Sequence, residues 1–387
     1  MDTIFPLGFP FATAFYMTLF VLTLVVHVVF MNYVLAGVGY LAVHACIGQR
    51  QSGEPSVPSP DATGHHFPPT VAGTLVDWMP TMLSAAITAG VAPLLFVQIL
   101  YQEQVYTANL LMFNRWMSIL PVLIVGFYAL YLLKSHWLSR RPAFVRLVVA
   151  VFPFLCVFFT AYTWTEEHLL SVRGTEFHRA FYQTERQIYF EPQMIPRLSV
   201  WALGALPTMA MFVGWQLWAK ARAGEPVPAS EPRLLANLAL GGLAAALVGG
   251  VAYCIVAPES TRNAFFSTPA LPYFLLAVAG VPLQVWAWLN LRKRETLLGA
   301  ARWLGLALTG TLLTILGMST CREVIRVVTL GDETMQQLYA RHAQANETTG
   351  LIAFLIFTVL VIGLVVVCFV VVQKGKLKPT ESAASST

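Results

Sequence analysis

Long apolar runs, each separated from the next by a short polar stretch, make up most of the chain. An α-helix needs about 20 apolar residues to cross the hydrocarbon core of a bilayer, and the runs reach that length. A transmembrane β-barrel would instead show short segments in which apolar and polar residues alternate. The pattern predicts an all-α fold, a polytopic transmembrane helical bundle of about nine transmembrane helices. The predicted helices lie near residues 9–47, 78–101, 117–135, 143–168, 196–220, 234–257, 269–291, 300–327 and 349–373.

The polar stretches between the runs differ in length and composition. Residues 48–70 are rich in Pro, Gly and Ser, which favour a flexible loop. The longest other connections are residues 166–195 and 329–348, and we expect both to carry some structure. We predict that residues 1–373 form a single transmembrane helical domain and that residues 374–387 form a disordered tail.

Charge is scarce along the chain and unevenly placed. Hydrophobic residues make up 57% of the chain and charged residues 11%, against about 25% charged residues in an ordinary soluble domain. Most of the 24 Lys and Arg residues fall on the C-terminal side of the predicted bundle. The positive-inside rule then places the N-terminus outside and the C-terminus, with loop 48–70, in the cytoplasm. The net charge of +5 reflects this asymmetry, so the expected partner is the lipid bilayer, with no nucleic acid.

The five cysteines carry no recognisable pairing motif. All lie in or at the ends of apolar runs, and none belongs to a CxxC or CxxCH sequence. This argues against a disulfide scaffold, a thiolate metal site and a covalently attached c-type haem.

His27 is the clearest ionisable residue within a predicted span, with apolar neighbours on both sides. An ionisable group inside the membrane is costly, so its presence suggests a function. Neutral imidazole is a common axial ligand of haem iron. The alternative is a histidine that hydrogen-bonds to a neighbouring helix.

Glu323 and Arg326 lie three residues apart near the end of the eighth predicted helix, on one helix face. A carboxylate there could ligate haem iron, and an arginine could neutralise a haem propionate. The alternative is an interfacial ion pair, which is common and stabilises a helix little.

Gln98, Tyr101, Gln102 and Glu103 follow one another at the predicted outer end of the second helix. They could line a quinone pocket or bind a partner. The alternative is an interfacial helix end with an aromatic residue at headgroup level.

A second group of polar residues lies in the predicted outer connections. Glu166, Glu167 and His168 end the fourth predicted helix, and His178 and His342 follow in outer segments. Outer histidines could bind a metal or a haem edge, but we interpret them as solvated side chains.

Three of these segments resemble subunit I of the cytochrome bd quinol oxidases. That family has nine helices with the N-terminus outside, and its first helix carries a haem-ligating histidine with a glycine about ten residues later, as His27 and Gly37 do here. The run AITAGVAPLLFVQILY, which contains Gln98, is similar to the family's second helix. The family's eighth helix ends in Glu-Val-Gly-Arg-Gln-Pro-Trp, which Glu323-Val324-Ile325-Arg326 matches at the Glu and Arg positions.

The resemblance implies that His27 and Glu323 ligate haem iron, that Arg326 binds a propionate and that Gln98 contributes to a quinone site. The chain resembles most the divergent bd-like membrane proteins that are encoded beside multihaem c-type cytochromes. Their location implies a bacterial inner membrane and a cytochrome partner on its outer face.

Several parts of the family pattern are missing. Residues 117–135 hold no glutamate, and residues 196–212 hold no histidine where the family has a haem ligand, although Met209 and Met211 lie near. The connection 258–269 is too short for the family's quinol-binding loop, and Gln-Pro-Trp does not follow Arg326. We therefore expect one or two b-type haems at most and doubt an oxygen reductase activity.

The leading hypothesis is a membrane subunit of a bacterial respiratory complex. It would pass electrons between quinone and an outer-face multihaem cytochrome c through haem b. A second hypothesis is a structural anchor or quinone-binding subunit that has lost its haem. A transporter or channel is the third, and the lack of intramembrane charges along a continuous path argues against it.

Overall fold

The computed structural model describes residues 3–52, 67–184 and 188–347. Beyond them it describes seven helical positions, which are Ile352, Leu355, Ile356, Val359, Leu360, Gly363 and Val366. The predicted tail 374–387, and most of both loop 48–70 and the ninth helix 349–373, lie outside the described residues.

The described part of the chain is helical and contains no strand. In chain order the helices are α1 (Phe11–Ser52), α2 (Val71–Leu100), α3 (Gln102–Leu111), α4 (Phe113–Lys134), α5 (His136–Ser139), α6 (Ala143–Ser171), α7 (Thr175–Gln183), α8 (Met194–Arg222), α9 (Glu231–Val256), α10 (Glu259–Phe265), α11 (Leu271–Arg292) and α12 (Ala301–Glu347). Eight of those in the described residues are long and apolar enough to cross a membrane, namely α1, α2, α4, α6, α8, α9, α11 and α12. The predicted all-α polytopic bundle is confirmed.

Helix α2 begins at Val71, earlier than the predicted residue 78, because two polar groups stabilise its start. The hydroxyl of Thr70 accepts a hydrogen bond from the Gly73 N–H at 3.1 Å. The Val71 N–H donates to the carboxylate of Glu231 at 2.8 Å. The earlier start also brings Asp77 into the span, where Lys134 of α4 neutralises it at 2.6 Å.

Helix α12 continues far beyond its predicted end at residue 327. It runs to Glu347 with one non-helical residue, Gly331, whose φ of 78° lies in the left-handed region that glycine adopts readily. The contacts divide the chain into two compact units, residues 1–335 and 336–387. Every residue of the site described below lies in the first unit.

Small residues bring α11 and α12 close together. A Cβ on Gly280 would lie 2.5 Å from the Gly310 carbonyl oxygen, and a Cβ on Gly317 would lie 2.4 Å from the Tyr273 carbonyl oxygen. Gln284 adds polar links, because its amide donates to the Thr314 hydroxyl at 3.0 Å. Such contacts are typical of helices that pack in lipid, and here they fix the position of α12.

Polar side chains also join α1 to α8. Asn32 is buried; its amide donates to the Thr208 hydroxyl at 3.4 Å, and its oxygen accepts from the Trp201 indole at 3.2 Å. The Tyr33 hydroxyl donates to the Gln216 side chain at 3.1 Å. These bonds hold α8 in register with α1 along most of its length.

Candidate functional site

Several ionisable side chains converge at one end of the bundle. Consecutive spanning helices run in opposite directions, so the ends of α2 and α6 lie at the same face as the start of α8. The far part of α12 reaches this face as well. The group, called the charged cluster below, consists of Tyr101, Glu167, His168, Arg197, Arg322, Glu323 and Arg326.

Glu323 is the most fully bonded member of the charged cluster. It is completely buried, and its Oε1 accepts from the Nε and Nη2 of Arg322 at 3.0 and 2.8 Å. Its Oε2 accepts from the Tyr101 hydroxyl at 3.3 Å and lies 3.6 Å from Nη1 of Arg326. The i,i+3 ion pair of Glu323 and Arg326, which was the alternative interpretation, is present, but the carboxylate is buried and Arg322 is the nearer partner.

Tyr101 follows α2 directly and lies beneath the guanidinium of Arg326. The Arg326 Cζ is 4.7 Å from the centre of the ring, a cation–π contact. Burial and the negative charge of Glu323 raise the pKa of the Tyr101 phenol well above 10.0. The phenol therefore remains a hydrogen-bond donor at physiological pH.

Arg326 also binds His168, and this contact fixes the histidine tautomer. Nη2 of Arg326 contacts Nδ1 of His168 within hydrogen-bond distance. A guanidinium can only donate, so Nδ1 carries a lone pair and Nε2 carries the proton. Nε and Nη1 of Arg326 are buried and lack hydrogen-bond partners among the described residues.

Glu167 and Arg197 form the other side of the charged cluster. Glu167 is 2% exposed, and its Oε1 has no hydrogen-bond partner in the described part of the chain. The charges of Arg326, Arg322 and Arg197 all act on its carboxylate. The cluster thus contains three guanidinium groups and two carboxyl groups. Buried polar atoms without partners are uncommon, so they indicate a place where another group binds.

Glu166 has a structural role beside the cluster. It is fully buried, forms an ion pair with Arg115 of α4 and accepts a hydrogen bond from the Tyr189 N–H. It thereby connects α4, α6 and the segment that precedes α8.

The interpretation of the outer histidines as solvated is wrong. Glu166, Glu167 and His168 are buried because α6 extends to Ser171 and because neighbouring segments cover its last turns. His178 is buried too, and its Nε2 bonds to the Leu170 carbonyl oxygen at 2.9 Å. His342 is also buried.

His27 lies elsewhere, in the middle of α1. Its Nδ1 is 3.0 Å from the carbonyl oxygen of Ala86 on α2. A carbonyl can only accept, so Nδ1 carries the proton and Nε2 keeps a lone pair. Gly90 makes room for the ring, because a Cβ there would lie 2.8 Å from Cε1 of His27. Metal-ligating histidines usually have this arrangement, in which one nitrogen donates to a carbonyl and the other faces the metal.

His27 and Glu323 lie at different depths of the bundle. Met17 of α1 has its sulfur 3.8 Å from the Tyr101 hydroxyl and so marks the level of the cluster. His27 is ten residues further along α1, which corresponds to about 15 Å along the helix axis.

Gln98 is half-buried near the end of α2, and its side chain has no hydrogen bond to a described residue. Gln102 and Glu103 are exposed, so only Tyr101 of these four neighbours joins the charged cluster. Arg197 and Arg322 were not among the residues predicted from the sequence. A signal was present, since Arg197 opens an apolar run and Arg322 precedes the predicted ligand Glu323.

A search against models of known protein families finds no match, and no curated protein sequence matches the chain. Within the described ranges, no group of three or more His, Cys, Asp or Glu side chains is arranged to bind a metal ion. The resemblance to cytochrome bd subunit I therefore stays a prediction from the sequence motifs.

Proposed function

We propose that this protein is the membrane subunit of a bacterial respiratory electron-transfer complex. It passes electrons between quinone and a multihaem c-type cytochrome on the outer face through haem b. The observation that carries the proposal is His27, an intramembrane imidazole whose Nδ1 is bonded to the Ala86 carbonyl and whose Nε2 has no bond to a described residue.

The donor set fits a b-type haem at two of the three predicted positions. His27 offers a neutral imidazole with its lone pair on Nε2, and buried Arg326 has guanidinium donors for a propionate. Glu323 fits less directly, because all its bonds go to protein donors. Its Oε2 is the oxygen available to iron, since it is held only by the 3.3 Å bond from Tyr101 and the 3.6 Å contact with Arg326.

A bound haem would supply a one-electron carrier within the bilayer. The residues of this chain would orient it. The Ala86 carbonyl holds the His27 ring in one tautomer, and Gly90 holds the ring against α2.

A second candidate is the anchor or quinone-binding subunit without haem. It is favoured by the bonding of Glu323, whose carboxylate accepts hydrogen bonds from Tyr101, which follows α2, and from Arg322 of α12. A transporter or channel is less well supported. In the described residues the buried carboxylates lie near the ends of the spans rather than along a path through them.

The visible spectrum of the purified protein distinguishes the two leading candidates. We expect a b-type signal in the reduced-minus-oxidised spectrum and in a pyridine haemochrome assay. His27→Ala should abolish or strongly reduce that signal, whereas His44→Ala, a change on the same helix next to Tyr40, should not. Wild-type protein without haem, or His27→Ala with an unchanged signal, would contradict haem ligation by His27.

A further inference from the structure

The connection between α4 and α6, residues 134–146, carries positive charge at the end of the bundle opposite the charged cluster. The basic residues of this segment, called the basic loop below, are Lys134, Arg140, Arg141 and Arg146. Asp77 of α2 neutralises Lys134 at 2.6 Å. The exposed Arg140 and Arg141 form no ion pair with a described residue, and no Asp or Glu occurs between residues 104 and 165. The charge of these two arginines is therefore available to a ligand.

Contacts within the basic loop hold its exposed groups in place. Leu138 is 2% exposed and packs into the main hydrophobic core of the bundle. The Arg141 N–H donates to the Leu138 carbonyl oxygen at 3.0 Å. The Arg141 guanidinium stacks on Trp137, with its Cζ 4.0 Å from the ring centre, which is a close cation–π contact. Trp137 is still 48% exposed, so an indole ring and a guanidinium group are presented together at the surface.

Exposed apolar and aromatic side chains continue from the basic loop along both helices. On α6 they are Phe144, Val148, Phe152 and Leu155. On α4 they are Leu120, Ile124, Tyr128 and Tyr131. The spacing of three or four residues places each set on one face of its helix. Because α4 and α6 are both candidate membrane spans, these two faces contact the acyl chains of the bilayer.

The chemistry of the basic loop determines which ligand fits it. Guanidinium groups and the indole N–H only donate hydrogen bonds, so the bound group must accept them. Two positive charges without a partner favour an anion. A soluble anion would make no use of the apolar faces of α4 and α6, whereas an anion with acyl chains would cover them. The end of α4 and the start of α6 also lie at the depth of the phosphate groups of a bilayer.

We propose that the basic loop and the adjoining faces of α4 and α6 form a binding site for an anionic phospholipid. Arg140, Arg141 and the Trp137 indole bind the phosphate, and the acyl chains lie along the two helices. The site is independent of the proposed electron transfer, since it shares no residue with the charged cluster or with His27.

Native mass spectrometry of the full chain in detergent tests the site. We expect the wild type to bind phosphatidylglycerol more tightly than phosphatidylcholine with the same acyl chains. Arg140→Gln/Arg141→Gln should weaken phosphatidylglycerol binding about tenfold or more, because each arginine attracts the anionic headgroup. The control is Arg292→Gln/Lys293→Gln, which removes the same charge from exposed residues at the same end of the bundle. Its affinity should be unchanged.

Trp137→Leu separates the geometry of the site from its charge. The variant keeps every charge but removes the indole on which Arg141 stacks. We expect phosphatidylglycerol binding to weaken about threefold, as the loss of one cation–π contact predicts. Affinity for phosphatidylcholine should not change.

A crosslinking measurement uses only the wild type and so does not depend on the folding of any variant. A phosphatidylglycerol with a photoreactive acyl chain should crosslink to residues 120–131 or 144–155. Unlabelled phosphatidylglycerol should compete with it, whereas phosphatidylcholine and inorganic phosphate should not. Equal affinity for the two lipids, equal weakening by the two double variants, or an unchanged affinity in Trp137→Leu would each overturn the site. Competition by inorganic phosphate, or crosslinks confined to other helices, would overturn it as well.

Discussion

At the scale of single residues, the partner atom decides what each buried histidine can do. Nδ1 of His27 lies next to a carbonyl oxygen, so Nδ1 carries the proton and Nε2 keeps the lone pair. Nδ1 of His168 lies next to a guanidinium, so Nδ1 keeps the lone pair and Nε2 carries the proton. The first state suits iron ligation and the second does not. The sequence predicted His27 from its apolar surroundings, but it could not predict the partners, which are distant in sequence.

Tyr101→Phe should show what the phenol contributes to the charged cluster. The ring would still pack under Arg326, but Glu323 would lose the 3.3 Å hydrogen bond. We expect a loss of about 1 kcal/mol in the free energy of unfolding at neutral pH, measured by denaturant titration in detergent.

The pH dependence of the same variant gives an independent check. Folding raises the pKa of Tyr101 above 10.0, so the unfolded state loses this proton first as the pH rises. The wild type should therefore lose stability above about pH 10 more steeply than Tyr101→Phe. If the free energy of unfolding depended on pH in the same way in the two proteins, the phenol would not be buried as described.

Glu166→Gln should destabilise the fold through a different mechanism. The change leaves Arg115 without its ion-pair partner and weakens the bond from the Tyr189 N–H. Breaking a buried pair from one side costs about 3 kcal/mol, which thermal unfolding would detect. Glu225→Gln is a suitable control because Glu225 is exposed, and it should change the melting temperature little.

At the scale of helices, the length of the apolar runs predicted the membrane-spanning helices well and the residues at which they end less well. The described spans match eight predicted runs, because bilayer thickness sets a minimum apolar length. The predicted ends were wrong where polar residues continue a helix, as at Asp77 of α2 and after residue 327 of α12. Their tertiary partners, such as Lys134 for Asp77, offset the cost of the charge.

Gly90→Ala tests the packing of α1 against α2 at His27. The new methyl group would lie 2.8 Å from Cε1 and 2.9 Å from Nδ1 of the imidazole, so the ring must move away from Ala86. We expect a clear loss of bound haem, measured as haem per polypeptide. Gly241→Ala is the control, because no atom lies within 4 Å of a Cβ there. Equal haem content in the two variants would argue against His27 as a ligand in this position.

At the scale of the whole molecule, the alternation of spans places the charged cluster at one end of the bundle. The charge bias predicts that this end is the outer one. The sequence could not predict the cluster as a unit, because its members come from three helices and the α2–α3 junction, and only packing brings them together.

Cysteine labelling of intact cells tests this orientation. Asn263 of α10 and Glu225 between α8 and α9 are both exposed and lie on opposite sides of the predicted bundle. In a background without native cysteines, Asn263→Cys should react with an impermeant thiol reagent from outside, and Glu225→Cys should react only after lysis. The reverse pattern would place the charged cluster on the cytoplasmic side.

The most direct test of the central claim is electron exchange between quinol and the haem. Wild-type protein in nanodiscs, oxidised and kept anaerobic, should show reduction of its b-type haem on addition of decylubiquinol and reoxidation on addition of excess decylubiquinone. Protein that holds no haem, or a haem that dithionite reduces but quinol does not, would contradict a role in passing electrons between quinone and a cytochrome.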